Sequence, residues 1–348
     1  MIERIEIRPG YEISRIIKGG WHLAGGHGII DKETAIKDML SFVEGGITTF
    51  DCADIYTGVE SLIGDFLKIH KDAFTSGNLP KVQIHTKYVP DYGALATVTK
   101  ADTYRIIERS LKRLGVEQLD LVQFAWWDYA FPKYVEVASH LKDLQQEGKI
   151  RNIGLTNFDG QRLKEIVDAG ISAIAHQVQY SVLDHRIEED LIAIQESNNI
   201  TTLCYGVIAG GFLSNRYLNN PDPIPPLENR SLTKYRLIIE EYGGWAQFQN
   251  TLNALNAIAE KHNVGIAEIA SRYILDKKGV SGVIVGARNT NHLEKIKKIS
   301  KIKLDQYDLH SLSQLQKESK GPLGPFYALE RVKDGPHGSI MKYNLNEE

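Results

Sequence analysis

Three residues able to move a proton stand at the ends of two short β-rich runs. Asp51 lies in the run 48–53, Tyr56 just beyond it, and Lys87 in the run 82–88. A phenol ionises near pH ~10 and is a poor acid at neutral pH. A neighbouring ammonium favours the phenolate, lowers that pKa and makes the tyrosine a better general acid. A carboxylate beside the lysine keeps it charged and fixed. A buried Asp–Lys ion pair with an unrelated tyrosine nearby would produce the same spacing, and both readings stand on these residues alone.

What must position them is an alternation of short strands and longer amphipathic helices running through most of the chain, the form of parallel βα units. The expected strands are 15–20, 48–53, 82–88, 119–125, 151–156, 173–179, 201–205 and 280–285. Helices are expected at 32–45, 59–69, 100–114, 134–146, 160–168 and 188–197, then near 249–262, 265–277 and 290–299. Eight strands, each followed by a helical pattern, close a barrel more naturally than they fill an open sheet. The expected fold class is therefore α/β, a (β/α)8 TIM barrel forming one domain over 1–348. Residues 3–15 read as an N-terminal β-hairpin turning at Pro9-Gly10. The stretch 206–248, with Gly210-Gly211, Pro221, Pro223, Pro225-Pro226 and Gly243-Gly244, reads as a long rim loop after the seventh strand. Residues 305–348 read as a C-terminal tail holding one short helix. Asp51, Tyr56 and Lys87 then fall at the C-terminal rim, where side chains from different strands converge.

Composition narrows the function. Of 348 residues, 42% are hydrophobic and 24% charged, enough for a sizeable core. A formal charge of −3 excludes a general affinity for nucleic acid or anionic membrane. Two cysteines, Cys52 and Cys204, form no disulfide framework or zinc cluster, and Cys52 reads as a small neutral filler. The N-terminus lacks an apolar signal core, so a cytoplasmic setting is expected.

The stretch Gly46-Ile47-Thr48-Thr49-Phe50-Asp51-Cys52-Ala53-Asp54-Ile55-Tyr56, followed by Glu60-Ser61-Leu62-Ile63-Gly64, resembles the signature of the aldo-keto reductase superfamily. The resemblance implies that Asp51, Tyr56 and Lys87 match three of four catalytic residues. It continues along roughly 10–300 in the right order. Thr156 and Asn157, in Ile153-Gly154-Leu155-Thr156-Asn157-Phe158, and Gln177, in Gln177-Val178-Gln179-Tyr180, match residues that bind a nicotinamide carboxamide. Tyr205, with Gly206 after it, falls where the family stacks an aromatic ring on the nicotinamide. Val285-Gly286-Ala287-Arg288 is similar to the family's phosphate-gripping turn, which implies cofactor contacts from Gly286, Ala287 and Arg288.

Two positions depart from the pattern. The family ends its fourth strand with a catalytic histidine in Leu-Asp-Leu-x-x-x-His, and here Leu119-Asp120-Leu121 leads to Ala125. An alanine cannot polarise a carbonyl, and losing one such donor costs on the order of 10²–10³ in rate. After Arg288 the family places a basic or amide side chain and then an Asn, where this chain has His292 and Ile296. A guanidinium at 288 can still clamp a 2′-phosphate, so NADP(H) is expected over NAD(H).

Other residues compete for the vacated role. His85 shares the inward parity of Lys87 and reads as a core histidine, while His176 should face away from the barrel axis. His22, just past the first strand, is the better rim candidate. Trp21 and Trp127 are expected to line an apolar substrate pocket with Ala125, and Trp126 is left open. Gly25-Gly26-His27-Gly28 lacks the spacing of a Rossmann fingerprint and reads as a rim loop. The resulting expectation is an NAD(P)(H)-dependent oxidoreductase acting by hydride transfer on a small carbonyl or alcohol, with activity reduced or altered by Ala125. The alternative is a nicotinamide-binding sensor without turnover.

Overall fold

The computed structural model describes residues 1–25 and 28–346. Gly26 and His27, within the expected rim loop, lie outside the described residues. The chain opens with an antiparallel hairpin, β1 (Arg4–Arg8) and β2 (Tyr11–Ser14). Eight parallel strands follow: β3 (Ile16–Gly19), β4 (Thr49–Asp51), β5 (Gln83–Tyr88), β6 (Leu121–Phe124), β7 (Ile153–Thr156), β8 (Ala173–Gln179), β9 (Thr201–Tyr205) and β10 (Val280–Gly286). They pair in sequence order, and β10 returns to β3 to close the barrel.

Period-2 burial against the helical layer and the barrel interior leaves little of any barrel strand exposed. The hairpin covers the N-terminal mouth. Tyr11 and Ile13 pack with Ile17, Leu121, Ala175 and Leu203 inside the barrel, and the Tyr11 hydroxyl pairs with His85 Nε2 at 3.1 Å. Outside, the helices lay their apolar stripes on the strands in one continuous core. The helix Lys100–Leu114 shows how sharply such an element is bounded. Thr99 and Asp102 form a reciprocal capping box at its start, and Gly115 ends it at φ +66°.

The Glu60 and Gly64 positions of the signature are structural. Glu60 accepts from Thr86 Oγ1 at 2.6 Å and from Arg113 at 3.4 Å. A Cβ on Gly64 would stand 2.2 Å from the Arg113 carbonyl oxygen. Only glycine lets the helix Val59–Ile69 approach the helix Lys100–Leu114 that closely.

Two expectations need correction. The stretch 206–248 is no simple loop, because it contains the helix Arg230–Tyr242, and the next helix begins at Gly244 rather than near 249. Leu232, Tyr235, Ile238, Ile239 and Tyr242 give that first helix a buried stripe. The tail holds a second helical turn, Ala328–Arg331, beyond the helix Gln306–Lys317. Among the described residues no helix is long and apolar enough to cross a membrane.

Candidate active site

Parallel pairing fixes which side chains meet. Asp51 is in register with His85, and Lys87 with Gln123, so side chains from β4, β5 and β6 converge inside the rim. Lys87 Nζ donates to Asp51 Oδ2 at 2.7 Å and to the Cys52 carbonyl at 2.9 Å. The other carboxylate oxygen, Oδ1, accepts from Gln177 at 2.6 Å and Gln123 at 3.1 Å. Gln177 also donates to Gln123 Oε1 at 2.9 Å. Room for the Gln123 side chain comes from Gly154 on the next strand, whose Cβ would sit 3.2 Å from Gln123 Cγ.

Lys87 Nζ lies 5.1 Å from the Tyr56 ring centroid, and Trp21 packs on the same ring at 5.1 Å. Burial works against the Lys87 ammonium, but Asp51 and Tyr56 outweigh it and its pKa is raised. Burial likewise raises the Tyr56 phenol. Lys87 pulls it down and Asp51 pushes it back. The ammonium thus acts in the expected direction, but the expected net lowering needs correction. Desolvation wins, and the phenol is held in its protonated, donating form at neutral pH.

These residues open on a cavity of about 800 Å³ at the C-terminal ends of the strands. Ala125 lies in its wall, with Thr156, Asn157, Gln177, Tyr205 and Gly206. Asn157 takes a left-handed backbone, φ +60°, and its Oδ1 accepts from the Tyr205 hydroxyl at 2.9 Å. That bond leaves the Asn157 amide N–H groups as donors. Gln177 has the opposite polarity. Its amide nitrogen is committed to Asp51 and Gln123, which leaves Oε1 as an acceptor at the cavity wall.

The other expected residues divide. Gly286 and His292 line the cavity, while Ala287 is buried behind them, its carbonyl held by Lys18 at 3.1 Å. The Arg288 side chain reaches from the turn after β10 to the loop after β3, where it donates to the Ile29 carbonyl at 2.8 Å. The His22 imidazole packs on Gly286, where a Cβ would lie 2.3 Å from its Cε1. It lines the cavity there, beside the turn after β10. His85 is fully buried, and burial lowers its pKa to about 4. His176 accepts from the Phe158 backbone N–H at 3.1 Å and pairs with Gln195, on the helix side of the barrel. The Trp126 indole turns away to donate to the Asp128 and Phe131 carbonyls, both at 2.9 Å. Trp127 packs on Tyr343 of the tail at 5.1 Å and lines the cavity.

Sequence reasoning missed Gln123, although alternation back from Ala125 points to it. It also missed the outer walls. The helix Arg230–Tyr242 contributes Arg230, Lys234 and Tyr235, and the tail contributes Tyr327, Met341 and Leu345. Arg331 ties that tail to the rim. It donates to the Trp126, Trp127 and Asn157 carbonyls at 2.6, 2.8 and 2.5 Å and to the Tyr129 hydroxyl at 2.7 Å.

Comparison with known proteins agrees with this architecture. The family model described as Aldo/keto reductase family matches residues 15–317. Aldo-keto reductase YhdN of Bacillus subtilis is 29% identical over 306 residues, covering 82% of this chain and 85% of that one. The NADH-specific methylglyoxal reductase of Escherichia coli is 24% identical over 303 residues, 79% of this chain and 86% of that protein. Among solved structures, the thermostable aldo-keto reductase Tm1743, crystallised with the inhibitor epalrestat, superposes with a TM-score of 0.69. It is 25% identical, and the match covers 90% of this chain and all of that one.

Proposed function

The chain belongs to the aldo/keto reductase family, and from that premise we propose that it is a nicotinamide-dependent oxidoreductase that interconverts a small carbonyl and its alcohol. The observation that carries this reading is one junction: the Asp51–Lys87 pair under Tyr56, beside an amide donor and an amide acceptor on the same cavity wall. A primary carboxamide presents one C=O and one NH2, the complement of the Asn157 N–H and the Gln177 Oε1, which have no partner among the described residues. Tyr205 supplies an aromatic face beside them, and Gly206 lets the Tyr235 hydroxyl pack behind it. The residues present thus fit a nicotinamide, and the cofactor, when bound, would supply the hydride.

Tyr56 delivers or withdraws the proton at the substrate oxygen. Lys87 holds a fixed positive charge by that phenol, and Asp51 keeps the lysine charged and in place. Trp21 and Trp127 keep water from the reacting region and favour an apolar substrate body. Arg288 and His292 stand by the turn after β10 and would meet the nucleotide phosphates. A guanidinium there favours NADP(H) over NAD(H), and an NADH-specific relative makes the choice worth measuring.

Ala125 supports a second reading, a cofactor-binding sensor without turnover, because the carbonyl-polarising imidazole of the family is absent. Titration of the full chain with NADPH and NADH, followed by quenching of Trp21 and Trp127 fluorescence, tests the common core of both. Saturable quenching with tighter NADPH binding is expected. No quenching by either nucleotide would overturn the site assignment, and binding without turnover on a broad aldehyde and ketone panel would favour the sensor.

A further inference from the structure

Lys234 stands on the helix Arg230–Tyr242, in the wall of the cavity that also carries Tyr56 and Ala125. Its ammonium lies 5.0 Å from the ring centroid of Tyr205, 5.5 Å from that of Tyr235 and 5.8 Å from that of Tyr327. Aromatic faces attract a cation through their quadrupoles, but they do not satisfy its three N–H donors. Among the described residues no oxygen accepts a hydrogen bond from Nζ, and only the more distant fields of Glu330 and Asp184 support its charge.

Those two carboxylates are already engaged. Arg186 binds Asp184 through Nε and Nη2 at 2.9 and 2.8 Å, and it binds Glu330 at 3.1 Å. Arg331, the residue after Glu330, spends its guanidinium on three carbonyls and a hydroxyl, with no carboxylate at ion-pair distance among the described residues. Lys234 therefore has no carboxylate to itself at the cavity wall, because Arg186 holds both of them. Burial lowers the Lys234 pKa, as expected of an ammonium short of counter-charge.

The cage is also in the right place to act on a substrate. Tyr205 bonds Asn157. The Tyr235 hydroxyl touches Gly206, where a Cβ would lie 2.1 Å from it, and Tyr235 lines the same cavity as Tyr56. Arg288 and His292 stand instead by the turn after β10. We propose that Lys234 receives an anionic oxygen of the substrate, so that the preferred substrate is a carbonyl compound bearing a carboxylate or phosphate. This inference rests on the nicotinamide–carbonyl reading above. A dinucleotide's pyrophosphate offers the same chemistry, and the experiment must separate the two sources.

The full chain saturated with NADP+ is titrated with 4-carboxybenzaldehyde and with benzaldehyde, and with glyceraldehyde 3-phosphate and glyceraldehyde. Binding is read by tryptophan fluorescence and calorimetry. At least one anionic compound is expected to bind about tenfold or more tightly than its neutral partner, the size of one charge-assisted contact. Lys234→Met removes that preference, with neutral ligands and NADPH unchanged and the melting temperature retained, while Lys234→Arg keeps it. No anion preference in the parent protein, or a preference that survives in Lys234→Met, overturns the proposal. A comparable loss of NADPH affinity in that variant overturns it too, by placing the ammonium on the cofactor. Failure of the parent to bind NADPH appears before any aldehyde is added, and it overturns the cofactor reading together with this one.

Discussion

The Gln177 side-chain amide donates to Asp51 Oδ1 at 2.6 Å, joining β8 to β4 across the barrel interior. Gln123 completes this link by donating to the same oxygen at 3.1 Å and accepting from Gln177 at 2.9 Å. The orientation of Gln177, and hence the acceptor it shows to the cavity, depends on Gln123. Gln123→Leu removes one donor from a buried carboxylate and one acceptor from Gln177. A stability loss of about 1–3 kcal/mol is expected in urea titration, together with weaker nicotinamide nucleotide binding. Unchanged nucleotide affinity would show that Gln177 holds its pose without Gln123.

The Asp51–Lys87 pair is buried on both sides, with 4% and 5% of the two residues exposed. Lys87→Met leaves Asp51 charged with only amide donors, and removing one partner of such a pair costs about 3–5 kcal/mol. Lys87→Met/Asp51→Leu removes the stranded charge and should recover part of the stability. Both variants are expected to lose turnover. The melts separate a stability role from a chemical one, because only the single variant should be strongly destabilised. A double variant as unstable as the single one would contradict this account.

Ala125 lies in the cavity wall, at the end of β6, with its backbone N–H on the Tyr88 carbonyl at 3.0 Å. Restoring an imidazole by Ala125→His adds a second donor for a developing oxyanion. A gain in kcat/KM on the order of 10²-fold is expected for aldehyde reduction, measured from NADPH consumption. A histidine variant no faster than the parent would mean that carbonyl reduction is not what this cavity has been shaped for.

These residues differ in how far the sequence disclosed them. Asp51, Lys87, Thr156, Gln177 and Tyr205 each stand at or near the end of a strand whose apolar run and flanking turn were plain, and the period of two put them at one rim. Gln123 sits two residues before Ala125 on the same strand face, so its inward direction was legible, but its partners were not. A hydrogen bond across the barrel depends on pairing among distant strands. The helix Arg230–Tyr242 carried its apolar stripe openly, yet Pro225-Pro226 and Gly243-Gly244 bracket it closely and the segment resembled a loop. The tail was the least legible part. Its residues Arg331, Tyr343 and Leu345 have no local periodicity, and their contacts come from segments some 200 or more residues away in sequence. The sign of the Tyr56 shift was missed for a related reason, since the depth of burial is a property of the closed cavity.

A final consequence concerns pH. Asp54 is 2% exposed, and burial, followed by the charge of Glu60, raises its pKa to about 7. Its Oδ2 accepts from the Val89 backbone N–H at 3.1 Å and from the Asn346 amide at 2.9 Å, whereas Oδ1 is buried with no partner among the described residues. The folded protein thus holds a proton on Asp54 that the unfolded chain, with a pKa of about 3.9, has already released. Between those two pKa values the native state binds more protons, so stability falls as pH rises from about 4 to about 7 and levels off above. Asp54→Asn keeps an acceptor for Val89 and Asn346 without the ionisation. It should match the parent near pH 4 and exceed it by about 1–3 kcal/mol near pH 8, a range set below the full linkage value to allow for local relaxation. Urea titrations across that window measure the difference. A variant less stable than the parent near pH 8 would show that Asp54 is held there as a carboxylate, its charge supported by Arg109 despite its burial.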